Sequence, residues 1–376
     1  MKVFVTGTRG IPHIMGGVEA HCEALMPRLA AMGLDLTVVR RTGYVPANAP
    51  HGEWEGVKLL DLPSPHQKWL EAFLHTFRAV REARRRGADV VHIHAIGPAL
   101  AVPLAKWLGL KVVFTHHGFD YDRAKWSRPA RWALRWGERC GCRWADRVIV
   151  ISEMIRTHVA KRHGRTDVAL IPNGAPKPCP TDDPALFARL GIHKGGYLLS
   201  ACRFVPEKNL HHVVEAFARL RGEVPAVREG RIKLVLAGDA DFQDAYATQL
   251  KARAREEGIV LPGFLNGPPL QALLTGARGY VLASSHEGLP IALLEAMAYG
   301  LPVAVSDIAP NLEVALPAEC YFPTGDIPAL AARLKALLAV DAPARVAYDM
   351  RKYDWDEIAR QTAAVYHSLE PQRPVP

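Results

Sequence analysis

The stretch PNGAPKPCPTDDP, residues 172–184, decides how the chain is organised, because five of its thirteen residues are proline. Proline lacks the N–H group that a central strand or a helix interior needs, so this stretch predicts a break between two domains. Its place near the middle of a 376-residue chain agrees with the ~100–200 residues of a usual domain. We therefore expect one domain over residues 1–175 and a second over residues 176–353.

On both sides of this break, short β-branched runs alternate with segments of helical length. The strands expected before it are Lys2–Thr6, Leu36–Arg40, Val57–Leu62, Val90–His94, Lys111–Thr115, Arg147–Ile151 and Val168–Ile171. Those expected after it are Tyr197–Ala201, Lys233–Ala237, Gly279–Ala283 and Val303–Val305. Such alternation is typical of parallel sheets with crossover helices. It predicts an α/β protein of two doubly wound, Rossmann-like domains facing each other across a cleft.

The composition is that of an ordinary globular protein, with 49% hydrophobic and 23% charged residues. Its most apolar stretch, residues 95–110, is shorter than the ~20 residues of a membrane span and contains Pro98, Pro103 and Lys106. The chain begins without a signal-peptide pattern, and its six cysteines form no CxxC pair. These features predict a reduced, cytoplasmic protein without a structural zinc site.

Positive charge is concentrated before the break, where residues 1–175 carry 26 Lys and Arg against 15 Asp and Glu. Arg128, Arg131 and Arg135 recur there at helical spacing beside Trp132. Arginine and tryptophan together suit an anionic membrane surface or a phosphate-bearing substrate. The alternative is a solvated arginine face whose tryptophans pack in the core. We expect no nucleic-acid partner, because no recognised binding module accompanies the charge.

The loop after the first expected strand is rich in glycine and leads into an amphipathic helix near Gly16 and Gly17. Glycines let backbone N–H groups approach an anion closely, and a helix N-terminus attracts phosphate. As a dinucleotide fingerprint the loop is weak, since the third glycine would fall at His13. We therefore interpret it as a phosphate-binding loop without that fingerprint.

Two motifs after strands of the second domain can bind a diphosphate and hydroxyl groups. Arg203 and Lys208 are five residues apart and can converge on one diphosphate. Glu287 and Glu295 enclose Gly288-Leu289-Pro290, in which proline suits a first helical turn and the two residues before it offer N–H groups to an anion. The two carboxylates can accept hydrogen bonds from sugar or ribose hydroxyls.

His117 follows the expected strand Lys111–Thr115 and precedes Gly118. A single histidine is more often structural than functional. Its place at the carboxyl end of a parallel strand, where open α/β sheets bind ligands, favours a role for His117 in a site.

Together these residues resemble the retaining GT-B glycosyltransferases of family 4, over nearly the whole chain. The motifs that carry the resemblance are, in order, Gly16-Gly17-Val18-Glu19, Thr115-His116-His117-Gly118, Ile171-Pro172-Asn173-Gly174, Arg203 with Glu207-Lys208-Asn209, Ala237-Gly238-Asp239, and Glu287 with Glu295. Residues 8–12 and Arg123-Ala124-Lys125-Trp126 look like the bacterial rhamnosyltransferase-like subgroup. The resemblance implies a donor-binding second domain, an acceptor-binding first domain, and a terminal helix over residues 354–369 that packs back on the first domain.

The resemblance also assigns roles by position. Arg203 and Lys208 would hold the donor diphosphate, helped by the backbone of Gly16-Gly17 and of Gly288-Leu289. Glu287 would contact the donor sugar and Glu295 the ribose. His117 would contact the sugar near its reacting carbon.

The base of the nucleotide would meet the loop that contains Phe264. Retention of configuration is implied, and neither a divalent metal nor another cofactor is required. Asp239-Ala240-Asp241 and Asp120-Tyr121-Asp122 spell the D-x-D pattern of metal-dependent transferases, but we interpret Asp239 as part of a turn.

The predicted substrates are a UDP-, GDP- or TDP-linked hexose or deoxyhexose and a glycan acceptor. The basic first domain favours a lipid-diphosphate-linked acceptor at the inner face of the cytoplasmic membrane. Three other functions stay open. They are a nucleotide-sugar epimerase of the same fold, a catalytically silent sugar-nucleotide-binding protein, and a metal-dependent hydrolase built on His92-Ile93-His94.

Overall fold

The structure is a computed structural model that describes residues 1–64, 70–123, 126–240, 244–339 and 345–370. The chain forms two compact units. Unit 1 comprises Met1–Gly174 with Lys352–Pro376, and unit 2 comprises Ala175–Arg351. The passage from unit 1 to unit 2 lies inside the proline-rich stretch.

Unit 1 is built on an eight-stranded sheet. Its strands are β1 (Lys2–Thr6), β2 (Asp35–Arg41), β3 (Glu53–Trp54), β4 (Val57–Leu62), β5 (Val90–His94), β6 (Lys111–His116), β7 (Arg147–Val150) and β8 (Val168–Leu170). They lie in the order β3-β4-β2-β1-β5-β6-β7-β8. All neighbours are parallel except β3, which pairs antiparallel with β4. Strands such as β5 are buried throughout, as expected for a parallel sheet covered on both faces.

The helices of unit 1 connect these strands. They are α1 (Gly17–Ala31), α2 (Leu70–Arg85), α3 (Val102–Trp107), α4 (Arg128–Trp144) and α5 (Glu153–His163). Helix α5 shows why such segments begin where they do, since the Ser152 side chain accepts a hydrogen bond from the N–H of Ile155 and Gly164 ends the helix in a left-handed conformation.

Unit 2 is built on a six-stranded parallel sheet in the order β11-β10-β9-β12-β13-β14. Its strands are β9 (Tyr197–Ala201), β10 (Lys233–Ala237), β11 (Val260–Gly263), β12 (Gly279–Leu282), β13 (Val303–Ser306) and β14 (Tyr321–Phe322). Its helices are α6 (Pro184–Leu190), α7 (Leu210–Arg219), α8 (Pro225–Arg228), α9 (Ala245–Glu256), α10 (Gly267–Gly276), α11 (Ile291–Ala298), α12 (Ala309–Leu312) and α13 (Ile327–Leu338). Side chains of Asp183, Asp244 and Asp326 cap α6, α9 and α13.

The last helix, α14 (Trp355–His367), belongs to unit 1. It buries Trp355, Ile358 and Tyr366 in the same apolar core as residues of β1, β2 and α1. Gly174 lies against the Trp355 ring, where a Cβ atom would come within 2.5 Å of a ring carbon. The core of unit 1 is therefore formed by residues from two separate parts of the sequence, Met1–Gly174 and α14.

The two Rossmann-like α/β units with parallel sheets confirm the predicted fold class. Three strands were not predicted, and each lies at or near a sheet edge: β3 and β14 have two residues, and β11 contains Pro262. A short edge strand carries little of the apolar pattern by which strands are recognised.

Candidate active site

The two motifs of unit 2 meet because they follow neighbouring strands. Strands β9 and β12 pair in the sheet, so the loops after them leave the same edge. The N–H of Ser285 donates to the Glu207 carbonyl at 2.9 Å. The Asn209 side chain donates to the Ala283 carbonyl at 3.0 Å and fixes the start of α7 against the loop after β12.

Lys208 and Glu287 form an ion pair at the centre of this arrangement. Lys208 Nζ lies 2.5 Å from Glu287 Oε1, and the two side chains are 16% and 10% exposed. Burying a charged side chain is costly unless an opposite charge pairs with it. The pair therefore presents one ammonium group and one carboxylate together at the carboxyl edge of the sheet.

Glu295 lies on α11, which begins just after Gly288 and Leu289. No hydrogen bond reaches its carboxylate from any residue that the structure describes, and burial raises its pKa to about 7. Pro290 is the N-cap of α11 and has no capping side chain, so backbone donors at this helix start are not used by a cap. The segment can offer N–H groups to an anion and a carboxylate to hydroxyl donors.

The other predicted donor-site residues of unit 2 lie in loops at the same edge. Arg203 is half-exposed in the loop after β9, and Phe264 is 43% exposed just after β11. Strand β10 lies between β9 and β11 in the sheet. Arg203 is thus on the loop that carries Lys208, whereas Phe264 is two strands away.

In unit 1, the glycine-rich loop is held by Glu19. Its carboxylate accepts hydrogen bonds from Thr8 Oγ1 at 3.1 Å and from the N–H of Arg9 at 2.9 Å. A Cβ atom on Gly16 would lie 1.9 Å from Glu19 Oε2, so this position requires glycine, while Gly17 has open space around it and begins α1. The loop and the helix start have the form expected of an anion-binding turn.

His117 lies within a group of histidines. His117 Nε2 is 2.9 Å from His94 Nδ1, within hydrogen-bond distance, and the His21 ring contacts the His117 ring with centroids 4.9 Å apart. His21 Nδ1 lies 2.9 Å from Asn173 Oδ1. Burial lowers the pKa of His21 to about 4 and holds the pKa of His94 and of His117 well below the usual value. These imidazoles are therefore neutral near pH 7 and suited to hydrogen bonding with hydroxyls.

His21, His94 and Asn173 are site neighbours that sequence reasoning did not assign. The available signal was the adjacency of strands: β5 pairs with β6, which places His94 opposite Thr115, two residues before His117. His21 and Asn173 come from α1 and from the proline-rich stretch, and no local pattern connects them to His117.

The hydrolase alternative is not supported at one of the two histidines on which it was built. Of the two histidines it needs, His92 has both ring nitrogens occupied, Nδ1 by the Tyr366 hydroxyl at 2.7 Å and Nε2 by Thr115 Oγ1 at 2.6 Å. His92 is thus a satisfied core histidine.

Arginine and tryptophan residues of α4 form an exposed face, which we call the α4 stripe. It consists of Arg128, Trp132, Arg135 and Trp136. Trp132 is 63% and Trp136 is 40% exposed, so the interpretation that these tryptophans pack in the core is wrong. The Arg135 guanidinium lies over the Tyr121 ring. Arg131 differs from the prediction because it is half-buried, with its Nε atom shielded from water.

In each D-x-D motif, the first aspartate forms an ion pair with a basic side chain. Lys251 Nζ lies 2.6 Å from Asp239 Oδ1, which also accepts from the N–H of Ala240. Arg123 lies 3.0 Å from Asp120. Asp241 lies outside the described residues, as do Ala124 and Lys125 of the subgroup motif.

Among the helices in the described part of the chain, none combines the length and the apolar character needed to cross a bilayer.

Comparison with known proteins gives the family. The Glycosyltransferase Family 4 domain matches residues 15–176, and the Glycosyl transferases group 1 domain matches residues 182–355. The chain is 27% identical to a glycogen synthase of Mycobacterium tuberculosis over 97% of this chain and 94% of that protein. It is also 27% identical to the GDP-mannose:cellobiosyl-diphosphopolyprenol alpha-mannosyltransferase of Xanthomonas campestris over 75% of each chain.

Among solved structures, Anabaena HepE in complex with UDP-glucose superposes with a TM-score of 0.77 at 18% identity, over 98% of this chain and 100% of that one. The fold is thus that of the GT-B proteins. The chain thus carries a glycosyltransferase family 4 domain followed by a glycosyl transferases group 1 domain.

Proposed function

We propose that this glycosyltransferase moves a hexose or deoxyhexose from a nucleoside-diphosphate sugar to a glycan acceptor, with retention of configuration and without a catalytic metal. The observation that carries the proposal is the Lys208–Glu287 pair, held 2.5 Å apart at the carboxyl edge of unit 2. A cation for a diphosphate and a carboxylate for sugar hydroxyls are the two groups that such a donor needs.

In this proposal Arg203 and Lys208 bind the diphosphate, and the backbone of Gly16-Gly17 and of Gly288-Leu289 adds N–H donors. Negative charge grows on the diphosphate as the glycosidic bond breaks. Fixed cations and N–H groups stabilise that charge in the transition state without reorganisation. The departing phosphate oxygen takes the proton of the acceptor hydroxyl, while the sugar passes through an oxocarbenium-like state.

The remaining side chains orient the donor. Glu287 accepts hydrogen bonds from sugar hydroxyls, and Glu295, whose carboxylate has no protein partner among the described residues, accepts them from the ribose. His117, neutral and held by His94, contacts a hydroxyl near the reacting carbon. Phe264 packs against the base.

The acceptor is proposed to be a lipid-diphosphate-linked glycan at a membrane surface, in bacterial polysaccharide or cell-surface glycan synthesis. The exposed Arg128, Trp132 and Arg135 of the α4 stripe support this, because arginine attracts anionic headgroups and tryptophan favours the interface. The X. campestris relative, named for a diphosphopolyprenol-linked acceptor, supports it as well.

The first test is thermal stability with UDP, GDP, TDP, ADP and CDP, each with and without EDTA. A ligand at ~100 times its Kd stabilises a protein by ~2.7 kcal/mol, which shifts the melting temperature measurably. We expect one diphosphate to stabilise the wild type in either condition, and the shift to disappear in Arg203→Ala and Lys208→Ala but not in Lys335→Ala, an exposed lysine of the same unit. Stabilisation that persists in both site variants would refute the assignment.

Product analysis separates transfer from epimerisation. Once the base is known, the donor is incubated with and without a diphosphate-linked glycan, and the anomeric configuration of the product is read by NMR. If the protein is a retaining transferase, a product forms only when the acceptor is present. The anomeric centre of that product then has the same configuration as that of the donor. A changed nucleotide sugar formed without acceptor would identify an epimerase instead.

A further inference from the structure

A second cluster of ligand-type side chains lies in unit 1, away from the residues given roles above. The Glu138 carboxylate of α4 is completely buried, and it faces His158 and His163 of α5. His158 Nε2 lies 3.1 Å from Glu138 Oε1, and His163 Nε2 lies 3.4 Å from Glu138 Oε2. One ligand atom from each of the three side chains falls within 4.8 Å of the others.

The two oxygens of the Glu138 carboxylate differ, because Oε1 accepts hydrogen bonds and Oε2 accepts none among the described residues. His116 Nδ1 accepts from the N–H of Gly118, so its Nε2 carries the proton that it donates to Glu138 Oε1 at 3.0 Å. The Tyr121 hydroxyl donates to the same oxygen at 3.3 Å. In contrast, Glu138 Oε2 and His163 Nε2 have no hydrogen-bond partner among the described residues, although both are shielded from water.

Every group within ion-pair or hydrogen-bond distance of the Glu138 carboxylate in the described part of the chain is a histidine or a tyrosine, and none is a lysine or an arginine. A buried carboxylate with no permanent cation is costly, and an unused oxygen increases the cost. A bound divalent cation would supply the positive charge and occupy the unused oxygen and nitrogen together.

Zinc binds histidine nitrogen and carboxylate oxygen at about 2.0–2.1 Å in a tetrahedron, which places its ligands about 3.4 Å from one another. The 3.4 Å between His163 Nε2 and Glu138 Oε2 matches that separation, and one ligand atom from each of the three side chains lies within 4.8 Å of the others. His116 and Tyr121 hydrogen-bond to Glu138 Oε1 and would thereby orient the carboxylate toward a metal ion.

We propose that Glu138, His158 and His163 form a zinc site that ties α4 to α5. The three protein ligands leave the fourth position of the tetrahedron to a small ligand such as water, and the role of the ion is to hold the two helices together rather than to take part in the proposed transfer reaction. A site of two imidazoles and one carboxylate binds zinc in preference to harder cations, since those cations favour oxygen ligands alone. The ion fixes α4, the helix that carries the α4 stripe, from its buried side.

The test begins with the wild-type chain, so that it does not depend on whether a variant folds. Protein made in zinc-supplemented medium is dialysed against metal-free buffer, and its zinc is counted by mass spectrometry. We expect about one zinc per chain, and a melting temperature that falls by several degrees when a strong chelator removes the zinc and recovers when zinc is returned. No retained zinc, no uptake, and a melting temperature indifferent to zinc would overturn the proposal.

Three variants locate the ion. Glu138→Gln and His163→Gln remove single ligands, and we expect each to lose the zinc and its effect on the melting temperature. His94→Gln is the matched control, because His94 belongs to the other cluster of three neighbouring histidines, with His21 and His117. Zinc lost in His94→Gln and kept in His163→Gln would place the ion in the other cluster and refute this site. If the wild type never binds zinc and Glu138→Gln is still less stable than the wild type, the cluster is only a buried ion pair, and the zinc site is refuted.

Discussion

Lys208 illustrates how a single side chain connects stability with function in this protein. Its charge is neutralised by Glu287, and both groups are largely removed from water. In the variant Lys208→Ala the Glu287 carboxylate loses the ion pair with Lys208 and the donor loses a diphosphate contact. We expect the transfer rate to fall about 100-fold or more, and the free energy of unfolding of unit 2 to fall by about 2 kcal/mol. Steady-state kinetics and urea unfolding measure the two effects.

Two further variants separate those effects. Lys335→Ala removes an exposed ion pair with Glu223 and should change neither quantity by a measurable amount. Lys208→Ala combined with Glu287→Gln removes both charges, so stability should recover while transfer stays low. A single Lys208→Ala variant that transfers at the wild-type rate would contradict the proposed role.

Glu295 predicts a pH dependence of stability. Burial raises its pKa to about 7, whereas the unfolded chain has the ordinary value of 4.5. The folded state therefore binds the proton more tightly, and the stabilisation is complete below about pH 4.5 and is lost as the pH rises through about 7. Between about pH 5 and pH 8, the wild type should lose about 2 kcal/mol more than Glu295→Gln.

Urea unfolding at the two pH values measures this difference. Glu319→Gln, which changes an exposed carboxylate of the same unit, is the control and should follow the wild type. Equal pH slopes for the wild type and Glu295→Gln would show that Glu295 is ionised throughout this range.

Among the elements, α4 has two faces with different chemistry. The α4 stripe is exposed, while Gly137 and Glu138 are buried on the opposite side. A Cβ atom on Gly137 would lie 2.0 Å from the Ile96 carbonyl oxygen, so this glycine allows the helix to approach the backbone after β5. The stripe is thus presented by a closely packed helix.

The variant that replaces Arg128, Trp132 and Arg135 by alanine tests the membrane proposal. Each arginine near an anionic surface contributes about 1 kcal/mol, so we expect binding to liposomes with anionic lipid to weaken at least tenfold. Sedimentation with the liposomes measures the binding. Replacing Arg219 and Arg228 of unit 2 by alanine removes the same two positive charges and is the control for net charge, and equal losses in the two variants would refute a specific role for the stripe.

Local sequence pattern predicted the long, buried elements better than the short ones. Strands β1, β4, β5, β9 and β10 have the predicted bounds, because β-branched residues bounded by turn residues define a buried parallel strand. Strands β3 and β14, of two residues each, are formed by pairing with a neighbour rather than by a pattern of their own. The exposure of Trp132 could not be predicted either, since helical spacing shows which residues share a face but not which face is covered.

At the scale of the whole molecule, the chain leaves unit 1 and returns to it through α14. Trp355 is 4% exposed, with Gly174 against its ring. We expect Trp355→Ala to lower the stability of unit 1 by about 3–5 kcal/mol, the usual cost of truncating a buried large aromatic residue, and to leave unit 2 unchanged. Hydrogen exchange should show lost protection in β1 and α1 and native protection in β9.

Trp107→Ala is the matched control, since this tryptophan of unit 1 is 82% exposed and its removal leaves no cavity. Loss of protection in both units of Trp355→Ala would contradict the division into separate cores. Native protection throughout would show that α14 does not stabilise unit 1.

The sequence alone determined the class of fold, and it predicted a domain boundary after residue 175 and the residue types suited to bind a diphosphate and hydroxyl groups. It did so because strand and helix periodicity, proline-rich breaks and the chemistry of arginine, lysine and glutamate are local properties. The motifs after β9 and β12 could be assigned to one edge, since the carboxyl ends of parallel strands lie together.

Only the tertiary structure decided which side chains meet. Lys208 and Glu287 are 79 residues apart, and His21 lies 152 residues from Asn173. Glu138 meets His158 and His163, which lie 20 and 25 residues further along the chain, because α4 and α5 pack beside each other. Burial sets the charge state of the histidines around His117 and of Glu295, since removal from water disfavours the ionised form.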